Sequence, residues 1–123
     1  MTTPVREIMQ TPVVTTVEEA TIAYVRELME RKKVSAIPIV EILGDRVNIK
    51  GIITNSDIRG ITDETLYVTD YMTKPVLTVT PETTMKTAGE LMLKNNCHHL
   101  VVMEKNRITG IISSMDFVRM ATR

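Results

Sequence analysis

The chain states one pattern twice. Gly51-Ile52-Ile53-Thr54-Asn55-Ser56-Asp57-Ile58 returns as Gly110-Ile111-Ile112-Ser113-Ser114-Met115-Asp116-Phe117. Each copy runs apolar, then turns polar, with a hydroxyl residue three positions before an aspartate. Such a stretch reads as a buried strand that ends at a strand-to-helix junction. A hydroxyl and a carboxylate there suit a ribose phosphate, and two copies imply two such sites about a pseudo-twofold axis.

The echo runs through most of the chain. At an offset of 63 residues, Val5, Met9, Pro12, Val13, Thr15, Glu19 and Thr21 meet Val68, Met72, Pro75, Val76, Thr78, Glu82 and Thr84. Glu27, Leu28, Met29 and Glu41 continue the series at Glu90, Leu91, Met92 and Glu104. Beyond Glu41 the offset falls to 59, as from Gly51 to Gly110, so the second copy has the shorter hairpin. Length changes of that kind belong in loops. The chain divides into two tandem repeats, 1–63 and 64–123, the first carrying the N-terminal segment and the start of the linker. A repeat this short buries too little surface to be stable alone, so the two are expected to share a core.

Within each repeat the hydrophobic period changes in the order strand, helix, strand, strand, helix. Val13 to Thr15 and Val76 to Thr78 are β-branched runs that predict strands. Ile22, Val25, Leu28 and Met29 fall at helical spacing and predict a helix over 18–33, with Glu18 and Glu19 in its first turn. Pro81 and Glu82 predict the matching helix start, with Met85, Ala88, Leu91 and Met92 on its inner face. Hairpins are expected over 36–54 and 100–112, turning at Gly44-Asp45 and Lys105-Asn106. Short helices follow from Asn55, capped by Asn55 or Ser56, and from Ser114. The fold class is α+β, made of α/β-type repeats packed sheet to sheet.

Composition excludes several functions. Fifteen basic and fifteen acidic residues cancel, whereas a nucleic-acid binder carries a basic excess. With one Phe, three Tyr and no Trp there is no stacking platform, so a bound base would be gripped by aliphatic side chains and backbone. No apolar run is long enough to span a membrane, and no signal peptide is expected. The single cysteine, Cys97, allows no intramolecular disulfide and suits a reducing cytoplasm.

The doubled β-α-β-β-α unit with Gly-Ile-Ile-Thr-x-x-Asp and Gly-Ile-Ile-Ser-x-x-Asp resembles the CBS domain, and the tandem resembles a Bateman module. Val34 to Val40 and the segments Met9–Thr16 and Met72–Val79 carry the same resemblance, which covers nearly the whole chain. It implies a stand-alone regulatory sensor, not an enzyme. Such a module binds an adenosine nucleotide in the cleft between two CBS domains, AMP foremost, with ADP or ATP next and S-adenosylmethionine as an alternative. No cofactor or metal is implied. The expected partners are a second copy, forming a homodimeric disc of four CBS domains, and an effector protein. A ligand-independent dimerisation or docking adaptor is the competing reading.

Carried onto this sequence, the resemblance gives Asp57 and Asp116 the ribose hydroxyls. A carboxylate, which only accepts, suits two vicinal O–H donors. Thr54, Ser113, Thr80, His98, His99 and Ser35 fall near ribose or phosphate. Val14, Pro38, Ile52, Leu77 and Ile111 line the adenine slot. The copies are unequal: Val17 and Ser35 stand where the second has Thr80 and His98, and Val101 replaces Pro38. The site with Ser113 and Asp116 is expected to be the better one. Plainer roles stay open beside these. Asp57 and Asp116 also suit first-turn capping, and His98 and His99 also suit half-exposed strand positions. Cys97 reads as a small hydrophobe. Arg59, Arg119, Lys50 and Lys105 read as solvated surface, and Met115 and Met120 as core or dimer face.

Overall fold

The computed structural model describes residues 2–122. They pack into two units whose boundaries differ from those of the repeats. A central unit spans Val14–Val76, and a terminal unit joins the residues up to Val13 with those from Leu77 onward. The segment leading each sequence repeat therefore packs with the strands of the other repeat.

The central unit holds helix α1 (Ile22–Lys32), strands β1 (Ala36–Leu43) and β2 (Arg46–Thr54), and helix α2 (Asn55–Ile58). The terminal unit holds β3 (Thr78–Val79), α3 (Met85–Asn95), β4 (His99–Glu104), β5 (Arg107–Ser113) and α4 (Ser114–Ala121). β1 and β2 pair antiparallel, as do β4 and β5, while β3 lies parallel to β4. A parallel neighbour requires a crossover, and α3 supplies it. In the central unit the strand expected at Val13–Thr15 shrinks to one parallel bridge, Thr16 to Ile39, and the strand expected at 76–78 shrinks to Thr78–Val79. Proline at 12 and 75, with no N–H to give, shortens what a ladder can use there.

Both long helices start later than the acidic residues suggest. Thr21 and Thr84 are the N-caps, taking the amides of Tyr24 and Thr87 at 3.2 Å each. Glu18, Glu19, Pro81 and Glu82 lie in the turns before. A threonine hydroxyl satisfies an orphan amide that a carboxylate one turn earlier does not reach. Each helix ends on a left-handed residue, Lys33 (φ 58°) and Asn96 (φ 50°). The next amide then closes back on Met29 or Met92.

The helical faces read from the period are the buried ones. Ile22, Val25, Leu28 and Met29 join Ile37, Ile39 and Ile53 in the central core. Met85, Ala88 and Met92 join Leu100, Val102 and Ile112 in the terminal core, with Leu91 half-buried at its edge. The first hairpin is longer, with strands of 8 and 9 residues against 6 and 7. Each hairpin carries a bulge, opposite Ile39/Val40 and opposite Val102/Met103. The Lys105-Asn106 turn has φ of 52° and 64°, the left-handed pair that a two-residue hairpin favours.

The 60–67 linker is pinned to α1. Arg26 donates to the carbonyls of Ile58 and Ile61 at 2.8 and 2.6 Å and to Glu64 at 3.0 Å. Nearby, the Thr65 hydroxyl and amide both donate to Asp63 and hold its carboxyl below the ordinary value. No helix among the described residues is long and apolar enough to cross a membrane.

Candidate functional site

Each doubled motif sits where the second strand of a hairpin hands over to a short helix. Thr54 is the N-cap of α2, not Asn55 or Ser56, because only an extended residue before the first turn can aim its hydroxyl at the third amide. Its hydroxyl takes the Asp57 amide at 3.3 Å, and the Asp57 Oδ2 takes the Thr54 amide at 3.0 Å. That is a capping box with aspartate in the glutamate position. In the second copy the Ser113 amide donates to Asp116 Oδ2 at 2.8 Å, with the Ser113 hydroxyl 3.5 Å from the same oxygen. The capping reading of both aspartates is thus realised in the folded chain.

The two carboxylates differ in their other partners. Asp57 is half-buried and receives the Thr73 hydroxyl, 3.1 Å from Oδ1. Asp116 is only 2% exposed. Its Oδ1 accepts from Gln10 Nε2 at 2.9 Å and from Arg119 Nη1 at 3.0 Å. Thr73 and Gln10 are counterparts at the offset of 63 residues. Each belongs to a leading segment that bridges the slot isoleucine: Thr73 and Ile52 exchange amide bonds of 3.0 and 2.8 Å, Gln10 and Ile111 of 2.8 and 3.1 Å. Sequence reading missed Gln10, Thr73 and the role of Arg119. The repeat alignment held the signal for the first two, which occupy one register position.

The apolar slot residues gather within each unit. Pro38 faces Ile52 across β1 and β2, and the Pro38 carbonyl takes the Thr16 amide at 3.1 Å, with half-buried Val14 beside the same core. Val101 faces Ile111, and its amide donates to Leu77 at 3.1 Å. Ser35 and His98 are exposed counterparts, whose carbonyls take the amides of Asn55 and Ser114 at 3.0 Å each. His99 is half-buried opposite Ser113. Thr80 is not brought to them. It lies beyond the Val79–Val102 pair, at the far end of β4, with its hydroxyl 3.2 Å from that of Thr83. Cys97 is half-buried at the core edge, and no described group of His, Cys, Asp and Glu could hold a metal.

This doubled architecture is matched by the profile of the CBS domain over residues 5–63 and again over 68–122. The chain belongs to the CBS domain family. A CBS pair is a regulatory module. Among curated relatives, an uncharacterised protein of Methanocaldococcus jannaschii, MJ1225, is 36% identical over 121 residues, covering 95% of this chain and 42% of that protein. The inosine-5′-monophosphate dehydrogenase of the same organism is 32% identical over 114 residues, covering 92% of this chain and 22% of the enzyme. The chain thus spans less than half of these relatives. Among solved structures, the CBS domain pair of protein MJ0100, in complex with 5′-methylthioadenosine and S-adenosyl-L-methionine, superposes with a TM-score of 0.85 at 23% identity over 99% of this chain and 98% of that one. The hexameric CBS-CP12 protein from bloom-forming cyanobacteria gives 0.82 at 29% identity, covering 94% and 69%. The first of these shows the fold alone.

Proposed function

We propose that this CBS pair is a sensor that binds an adenosine nucleotide, AMP in first place and ADP or ATP next, and thereby modulates an effector protein. The observation that carries the reading is the junction at Thr54 and Asp57. There a half-buried carboxylate bonded to one amide and one rotatable hydroxyl stands beside the Ile52 and Pro38 slot. An aspartate has about four lone-pair directions, so it retains capacity for a ribose diol. The aliphatic walls suit a purine face. S-adenosylmethionine remains the alternative ligand, in keeping with the ligands of the MJ0100 pair.

Calorimetric titration with AMP, ADP, ATP and S-adenosylmethionine is the test. Saturable heat with a micromolar dissociation constant, about −8 kcal/mol, is the expected result. No heat and no thermal stabilisation from any of the four defeats the proposal.

A specific observation also favours self-association, as in a four-CBS disc or a docking adaptor. Leu93, Met115 and Val118 on α3 and α4 are 86, 53 and 51% exposed, where the first copy has Glu30, Ser56 and Arg59. A self-complementary apolar face is what an isologous dimer needs. Leu93→Glu is expected to shift the chain from dimer to monomer in light scattering at micromolar concentration. An unchanged mass, or a monomeric parent, counts against the interface.

A further inference from the structure

The longer hairpin of the first repeat builds an edge that the second repeat lacks. In the second, β3 lies against Val101 and Val102, and only Met103 and Glu104 follow before the turn. In the first, the bridge from Thr16 ends at Val40, and Glu41, Ile42 and Leu43 run on beyond it. The register fixes which way their backbone faces. Leu43 and Arg46 close the Gly44-Asp45 turn, so that pair and the Glu41–Asn48 pair exchange the hairpin's own bonds. Val40 and Ile42 alternate with them and face outward, and the Val40 amide accordingly donates to Thr16 at 2.8 Å. No strand or bridge among the described residues takes the amide and carbonyl of Ile42 on that side.

This edge is apolar at its centre and acidic at its border. Ile42, Leu43 and Val17, which falls beside Val40 in the register of the bridge, are 63, 44 and 45% exposed. Glu18, Glu19, Glu41 and Asp45 flank them along the chain. None of the four joins an ion pair among the described residues. Arg46 stands on β2, across the hairpin. Sheet edges are commonly blunted by lysine, proline or a covering loop. Here aliphatic side chains stand open beside free backbone groups.

We infer that the edge at Ile42 is a docking site for an extended, basic segment of a partner protein, which adds to β1 as a further strand. The segment's backbone bonds Ile42, and its β-branched side chains cover Ile42 and Val17. Its lysines or arginines meet the carboxylates, which steer and select it. The inference rests on the reading of the chain as a module that acts on an effector protein, and not on its nucleotide binding.

Fluorescence anisotropy of the full chain with a labelled octapeptide alternating lysine and valine tests it. Saturable binding is expected, with a dissociation constant of about 100 μM that weakens as salt is raised. The glutamate–valine counterpart is expected to bind at least about tenfold more weakly. The lysine–valine peptide methylated at every amide has no donor for an edge and is expected not to bind. Ile42→Pro removes an outward N–H and no hairpin bond, as Pro38 already stands outward on the same strand, and is expected to abolish binding. Hydrogen exchange of the Ile42 amide is expected to slow when the peptide is added. No binding, equal binding of the acidic or the methylated peptide, or protection elsewhere than at Ile42 overturns the inference and leaves the sensor reading intact. Slow exchange at Ile42 that tracks protein concentration without peptide assigns the edge to a second copy and overturns it as well. Failure of every nucleotide to bind leaves the docking edge standing.

Discussion

Asp116→Ala is expected to lower the stability of the fold by about 3 kcal/mol, and Asp57→Ala by about 1 kcal/mol. Asp116 is 2% exposed and is the acceptor for the Ser113 amide, Gln10 and Arg119. Removing it strands the half-buried Ser113 amide and undoes the cap at a buried position, and an unmade buried hydrogen bond costs about 1–3 kcal/mol. Gln10 and Arg119 contribute less, since both are exposed and can turn to water. Asp57 is itself only half-buried and serves the Thr54 amide and the exposed Thr73 hydroxyl, so water can take its place. By scanning calorimetry the difference appears as a fall in melting temperature of about 10 °C against about 3 °C. Equal shifts would mean that the Gln10 and Arg119 contacts add nothing to the cap. Asp116→Asn keeps one acceptor and is expected to fall between.

This reverses the emphasis that the motif alone suggests. Read as sequence, Thr54-x-x-Asp57 and Ser113-x-x-Asp116 look like one device made twice, and the backbone bears that out in both capping arrangements. Secondary structure was legible wherever a period or a turn residue announced it. β1 opens the expected 36–54 hairpin at Ala36, and α4 starts at Ser114 as expected. The helix starts were less legible, because Glu18 and Pro81 are good first-turn residues and the threonine caps at 21 and 84 compete with them on nearly equal terms. What decides the chemistry of each junction was hardest to see. Gln10 meets Asp116 across 106 residues, and a single polar side chain in an irregular leader carries no periodic signal. Arg119 looked like any other helix-surface cation. It differs only because the carboxylate one turn before it is buried. That burial depends on the leading segment crossing to the other repeat's strands, which local pattern does not encode.

That crossing rests on two glycines, and Gly110→Val is expected to destabilise the fold by about 3 kcal/mol. Intrinsic preference argues the other way. Gly110 lies inside β5, where a β-branched residue gains up to about 1 kcal/mol over glycine. Packing outweighs that gain. A Cβ at Gly110 would run into the Met9 side chain down to its own Cβ at 2.9 Å, which no rotamer change can move. Met9 is in turn tied by its amide to Val5 at 2.8 Å, so the backbone of the leader must shift. At Gly51 the closest obstruction is the Met72 Sδ and Cγ, at 2.7 and 2.8 Å, with the Thr73 carbonyl oxygen at a tight but less severe 3.2 Å. A methionine end can swing aside at small cost, and Gly51→Val is expected to cost about 1 kcal/mol net. Urea denaturation of the two variants separates them. Adding Met9→Ala to Gly110→Val is expected to recover part of the loss, by opening the space that the new side chain needs. If the double variant is no more stable than Gly110→Val alone, contact with Met9 is not why glycine stands at that position.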